Sequence, residues 1–186
     1  RVGYNTDGRG FLLSHSVVRG TEVLKKHQVE YYLTFLRALG WEARTRDPLL
    51  RAGPESVNRA RALLSSKGIG DEDWLVGVSP GAAYGPAKRW PVERFAAVAD
   101  RAIKEWGAKV AVIGTEKEKE LGETLLSTAS PGVVNLCGMT GLGDALALIQ
   151  RCGLFVSNDS GLMHVAAALN VPTVAIFGST DSVATG

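Results

Sequence analysis

This 186-residue chain is short of the features that mark a specialised class of protein. It has only two cysteines, Cys137 and Cys152. Each is followed by glycine, at a spacing that suits neither a zinc site nor a redox pair, so buried reduced thiols are expected. Positive and negative charges nearly cancel, to a formal net +2, and no run of lysine or arginine resembles a binding tail, so nucleic acid is not an expected partner. No apolar stretch is long enough to span a bilayer and no secretory leader is recognisable, which makes the cytoplasm the expected compartment. Internal repeats and low-complexity tracts are missing. An initiating Met is missing too: the chain opens at Arg1 in a strand-like Val2-Gly3-Tyr4 and stops at Gly186 in an expected loop, and it is read as a fragment.

What is present is a soluble globular composition, long enough for one domain or for one domain with part of another. After the first expected strand comes the loop Asn5-Thr6-Asp7-Gly8-Arg9-Gly10, whose glycines do not make the G-x-G-x-x-G of a dinucleotide fingerprint. Lys25 to Leu39 has helical periodicity, with Val29, Tyr32, Leu33, Leu36 and Leu39 on one side and Gly40 as the stop. Residues 41–54 mix arginines with Asp47-Pro48 and Gly53-Pro54 and read as a linker. A helix is expected from Glu55 to Ser66, and from Trp74 onward strands and helices alternate, the pattern of a mostly parallel sheet wrapped by helices. Pro91 opens a helix with an inward stripe of Phe95, Val98, Ala99, Ala102, Ile103 and Trp106. Further strands at Lys109 to Ile113 and Val133 to Leu136 alternate with helices at Thr115 to Ala129 and Leu142 to Gln150, the last with Leu142, Ala145, Leu146 and Ile149 inward.

The richest stretch is Phe155 to Thr180. A short apolar strand ends in Ser157-Asn158-Asp159-Ser160-Gly161, residues that favour turns and helix caps. A helix should start at Asp159 or Ser160, with Leu162, Val165, Ala166 and Leu169 inward, and a second buried strand should follow at Val171 to Phe177. Such a helix start presents backbone N–H groups and a partial positive charge, a seat for a diphosphate. His164, one turn in, should lean back toward it. The plainer alternative is that Asp159 caps the helix and His164 is a surface residue. In open parallel sheets ligands sit outside the carboxyl ends of the strands, where the long loop Ser79 to Trp90 also belongs. Its Lys88 and Arg89 could meet phosphate, or the loop could be a solvated surface over Trp90.

The segments PGAAYGPAKRWP (80–91) and NDSGLMHVAAALNVPTVAIFGSTD (158–181) together resemble the carboxyl-terminal half of the ADP-heptose:lipopolysaccharide heptosyltransferases, nearest to the heptosyltransferase II group. YNTDGRGFLL and HQVEYY resemble the end of that family's amino-terminal domain. The resemblance implies a GT-B type enzyme of two Rossmann-like domains. Residues 1–40 would then be the end of the acceptor domain, 41–54 the linker, and 55–186 the sugar-nucleotide (donor) domain, truncated at its end. It also implies an inverting, metal-independent transfer of heptose from ADP-heptose to the lipopolysaccharide inner core, with no cofactor and with work at the inner face of the inner membrane.

Carried over by position, Lys88 meets the donor diphosphate and stabilises the leaving group, and Ala83 and Tyr84 flank the phosphates. Glu118 takes the adenosine ribose and Thr140 lies along the adenine. Asp159 holds heptose hydroxyls, while Ser160, Gly161 and His164 contact diphosphate and sugar. Thr115 and Glu118 also form the Thr-x-x-Glu of a capping box, so Glu118 can instead serve its own helix. Ser182 stands where the family often has proline. The general base is expected outside this chain, which would leave it inactive alone. The alternatives are a related glycosyltransferase using another sugar nucleotide, and a nucleotide-binding module without activity.

Overall fold

The computed structural model describes residues 1–44, 48–82 and 86–185, so part of the expected linker and of the 79–90 loop lies outside the described residues. Two compact units are distinguished: Arg1–Asp47 with Asp181–Gly186, and Pro48–Thr180. In the smaller unit, β1 (Val2–Tyr4) and β2 (His15–Val17) pair in parallel, and the helix α1 (Gln28–Ala38) follows a 3-10 turn at Thr21–Lys25. Tyr4 is the buried centre of this unit. Its ring lies 4.7 Å from that of Tyr31 and 5.0 Å from that of Phe35, and its hydroxyl donates to the Tyr31 carbonyl at 2.9 Å. The side of α1 that packs on Tyr4 is therefore the Tyr31 and Phe35 side, whereas Val29 and Tyr32, on the side the periodicity picked out, are exposed.

The larger unit runs through α2 (Pro54–Ser66), β3 (Leu75–Ser79), α3 (Val92–Trp106), β4 (Lys109–Val112), α4 (Lys119–Thr128), β5 (Val133–Asn135), α5 (Leu142–Arg151), β6 (Leu154–Asn158), α6 (Gly161–Ala168) and β7 (Thr173–Ile176). All neighbouring strands are parallel, in the order β5-β4-β3-β6-β7. Every residue of β3 is buried, as suits a parallel strand covered on both faces. Alternate residues feed two cores. On one face Leu75, Ala111, Ile113 and Phe155 pack with Leu64 of α2, Leu148 and Ile149 of α5 and Ala166 of α6. On the other, Val76, Val78, Val110, Val112 and Val156 meet Phe95, Ala99 and Ala102 of α3 and Leu125 of α4. This is the three-layer, parallel α/β sheet expected from the alternation, with the Rossmann-like form that the resemblance implies. On the α3 side its last strands are incompletely covered: an apolar cavity of about 440 Å³ lies beside Trp106, Leu154, Val174 and Ile176.

Three local expectations are corrected. Trp106 lies at the last turn of α3, edge-on to Trp74 at 5.2 Å, and is half exposed rather than inward. Leu142 opens α5, and its side chain is exposed, while Ala147 and Leu148 join Ala145 and Ile149 in the core. Residues 182–185, expected as loop, form a helical turn, α7 (Ser182–Thr185). Cys137 and Cys152 are buried free thiols, and burial pushes both up to about 12, which makes them poor nucleophiles at neutral pH. Among the described residues no helix is long and apolar enough to cross a membrane.

Candidate functional site

The strand order reverses direction between β3 and β6, and at such a switch point the loops leaving the two strands diverge and open a crevice. A cleft of about 450 Å³ occupies that place. Four segments line it, all from the carboxyl ends of strands or the helix starts that follow: Ser79 and Ala82 after β3, Ile113 to Thr115 with Glu118 after β4, Thr140 to Leu142 with Ala145 before and in α5, and Ser160 to Leu162 with Val165 at α6. Its walls are mostly aliphatic. Leu162 and Val165, expected to face only the core, are half-buried side chains that pack on the core edge and also form the cleft wall. Leu142 sits at the cleft because a helical side chain leans toward the amino end of its helix, and at the first residue no preceding turn covers it.

At one end stands Glu118. The Thr115 amide and hydroxyl both donate to its Oε2, at 2.7 and 2.9 Å, and the Glu118 amide donates to the Thr115 carbonyl at 3.0 Å. The capping box is therefore formed, on a 3-10 turn at Glu116–Glu118 that leads into α4. Oε1 lies on the other side, against Gly81, where a Cβ would come within 1.6 Å of it. Only a residue without a side chain at 81 lets the carboxylate stand there. Glu118 lines the cleft while it caps its helix, so the two roles are compatible.

Next to Ser160, at the α6 start that lines the cleft, is an ion pair. The Lys88 ammonium lies 2.7 Å from Oδ2 of Asp159, and the Thr180 hydroxyl donates to that same oxygen at 2.7 Å. Asp159 is buried. The Lys88 ammonium, then the Thr180 hydroxyl, hold its carboxyl below the usual value against the opposing effect of burial, with the charge of His164 adding to them. The carboxylate is ionised and well satisfied, and so a weak base. Asp159 leads directly into Ser160, the extended N-cap of α6, whose first N–H groups have no partner within the helix. The Ser160 hydroxyl lies 3.1 Å from that of Ser157. His164 is exposed one turn along.

The loop that carries Lys88 is tied at both ends to one residue. Asn158, fully buried at the end of β6, donates to the Pro80 carbonyl at 2.7 Å and accepts from the Trp90 amide at 3.0 Å. Within the loop Arg89 donates to the Ala82 carbonyl at 3.3 Å, so its guanidinium braces its own loop in this structure. Of the residues singled out from sequence, Glu118, Thr140, Ser160 and Gly161 line the cleft, and Lys88 and Asp159 pair beside its helix start. His164 lies near enough to act on Asp159 through its charge. Ala83 and Tyr84 lie outside the described residues. Asn158, Thr180 and Gly81 were not singled out. Asn158 and Thr180 flank the recognised acidic motif and its closing loop, and a buried amide between a strand and a helix cap is a signal that could have been used.

The whole chain, residues 1–186, matches the family model described as glycosyltransferase family 9 (heptosyltransferase). Lipopolysaccharide heptosyltransferase 2 of Escherichia coli K12 is 44% identical over 117 residues, covering 61% of this chain and 33% of that protein. Lipopolysaccharide heptosyltransferase 2 of Salmonella typhimurium LT2 is 35% identical over 192 residues, covering 97% of this chain and 55% of that protein. The structure of E. coli ADP-heptose lps heptosyltransferase II superposes with a TM-score of 0.81 at 31% identity, over 100% of this chain and 58% of that one. The chain thus spans between a third and somewhat over half of the length of these relatives.

Proposed function

Because the chain belongs to glycosyltransferase family 9, the heptosyltransferases, we propose that its larger unit is the donor-binding part of such an enzyme. The donor is ADP-heptose and the acceptor the lipopolysaccharide inner core. The observation that carries this is the cleft at the switch point, lined by Glu118 and by the start of α6, with the Lys88–Asp159 pair directly before that helix start. Apolar walls suit a base, Glu118 Oε1 suits the hydroxyls of a ribose, and Lys88 with the first N–H groups of α6 suits a diphosphate. In this reading Thr140 lies along the adenine, Ala83 and Tyr84 flank the phosphates, Asp159 meets heptose hydroxyls, and Ser160, Gly161 and His164 meet diphosphate and sugar. Residues 1–40 are then the end of the acceptor domain, 41–54 the linker and 55–186 the donor domain, of which the larger unit holds all but 181–186. The site of work is the cytoplasm, in peripheral contact with the inner membrane.

The reaction breaks the bond from the anomeric carbon to the β-phosphate oxygen and forms one to an acceptor oxygen on the opposite face, with inversion. Negative charge grows on the departing ADP, and the enzyme must stabilise it where it grows. Lys88 and the amides at Ser160 and Gly161 do this without a metal. The acceptor proton goes to a general base. Asp159 is unsuited to that role, because one of its oxygens already takes two donors and its pKa is depressed. We place the base outside this chain, so that the chain binds ADP and transfers no sugar alone.

Calorimetric titration with ADP, ADP-heptose and a UDP-sugar tests the reading. Preference for ADP-heptose supports it, preference for the UDP-sugar points to a related transferase with another donor, and binding of none overturns it. Ligand that binds only the folded chain should add roughly 2.7 kcal/mol of stability at a hundredfold excess over Kd. Product formed by the isolated chain from ADP-heptose and core acceptor would place the base within these residues.

A further inference from the structure

Thr180 follows β7 in a loop to which no role has been given above. Its hydroxyl and the Lys88 ammonium meet on one oxygen, Oδ2 of Asp159, each at 2.7 Å. Three loops, leaving β3, β6 and β7, therefore converge on a single carboxylate. The site is shielded: the Lys88 side chain is 20% exposed and that of Asp159 7%. Away from water, a charged pair depends strongly on its geometry. The terminal torsion of an aspartate is broad and soft, so an ion pair alone leaves the carboxylate free to turn. A second donor arriving from a different loop removes that freedom. A threonine hydroxyl can do this without bringing a charge of its own.

We propose that Thr180 is a positioning residue of the donor site: it fixes the Asp159 carboxylate, and through it the Lys88 ammonium, beside the start of α6. The proposal rests on the donor-site reading. Its consequence is that a residue touching no nucleotide sets the affinity for the diphosphate. The charged groups that face Asp159 are Lys88 and, one helical turn away, His164, and neither is altered by a change at 180.

The test uses the 186-residue chain and compares Thr180→Val, which keeps the shape and deletes the hydroxyl, with Thr180→Ser, which keeps it. Two quantities are read: ADP affinity by calorimetry, and the titration of the Asp159 carboxyl by carbon NMR. Thr180→Val should weaken ADP by roughly tenfold, the order of a lost hydrogen bond to a charged group, and should raise the Asp159 titration midpoint. Thr180→Ser should restore both. Should Thr180→Val fail to fold, Thr180→Ala must give the same pair of changes. The proposal is overturned if affinity falls with the Asp159 titration unmoved, if the titration moves with affinity unchanged, or if serine rescues neither. A wild-type chain that binds no ADP overturns the donor-site reading itself, and is told apart because the NMR arm reads the Thr180 bond without nucleotide.

Discussion

The Glu118 end of the cleft and the cluster beside the start of α6 are built on opposite plans. Glu118 is held by Thr115, three positions away on the same turn, so its carboxylate is set by local backbone as soon as that turn forms. Lys88 is held by Asp159 across 71 positions, and Asp159 by Thr180 across 21. That end can exist only after β3, β6 and β7 lie side by side, which their parallel order brings about. Closing such separations costs chain entropy that the assembled sheet must offset. The local end should therefore tolerate loosening of the domain, and the distant end should fail with it.

The largest effect should come from cutting the tie that all of the distant end depends on. Asn158→Leu leaves the Pro80 carbonyl and the Trp90 amide without their buried partner, at a cost of roughly 2–4 kcal/mol for the two groups. Urea denaturation should read this as a lower midpoint, and ADP binding should fall with it. Next, Lys88→Ala should weaken ADP by about 1.5–3 kcal/mol, and the loss should shrink as salt is raised. Unchanged affinity in a folded variant would return Lys88 to the surface-loop reading. A smaller effect should come from acid. The Asp159 carboxyl is depressed from its ordinary 3.8 in the folded chain, so the unfolded chain takes up its proton first as pH falls. Its contribution to stability is complete above about pH 4 and drains away as pH drops through the depressed value. Denaturation curves at a series of acidic pH values should show this decline, and Lys88→Ala should flatten it. The smallest change is expected at the local end, where Thr115→Ala should cost about 1 kcal/mol by thermal denaturation and leave the Asp159 titration where it was. A coupled shift there would erase the contrast between the two ends.

That contrast also explains what could be read from the residues. The sheet was legible because burial on both faces demands apolar runs such as Leu75 to Val78, and because the helices between them keep one spacing. The Glu118 box was legible because its partners lie three residues apart. The Lys88 to Asp159 bond was not, since nothing in spacing says that two residues so distant share an oxygen; the resemblance placed both near one ligand without pairing them. Thr180 was passed over for the same reason. Leu142 and Trp106 were misread because periodicity marks which side of a helix faces inward and not where the layer beneath it stops.

The approach of Glu118 to Gly81 has a consequence for how this site can change over generations. A methyl at position 81 would lie within 1.6 Å of Oε1 of Glu118, so the acid, the far end of a flexible side chain, must swing aside and give up its present place. Shortening the acid first opens the space and makes the second substitution harmless. Drift at these two positions is therefore coupled: a substitution at 81 moves the carboxylate while the glutamate is present, and displaces nothing once the acid has been shortened.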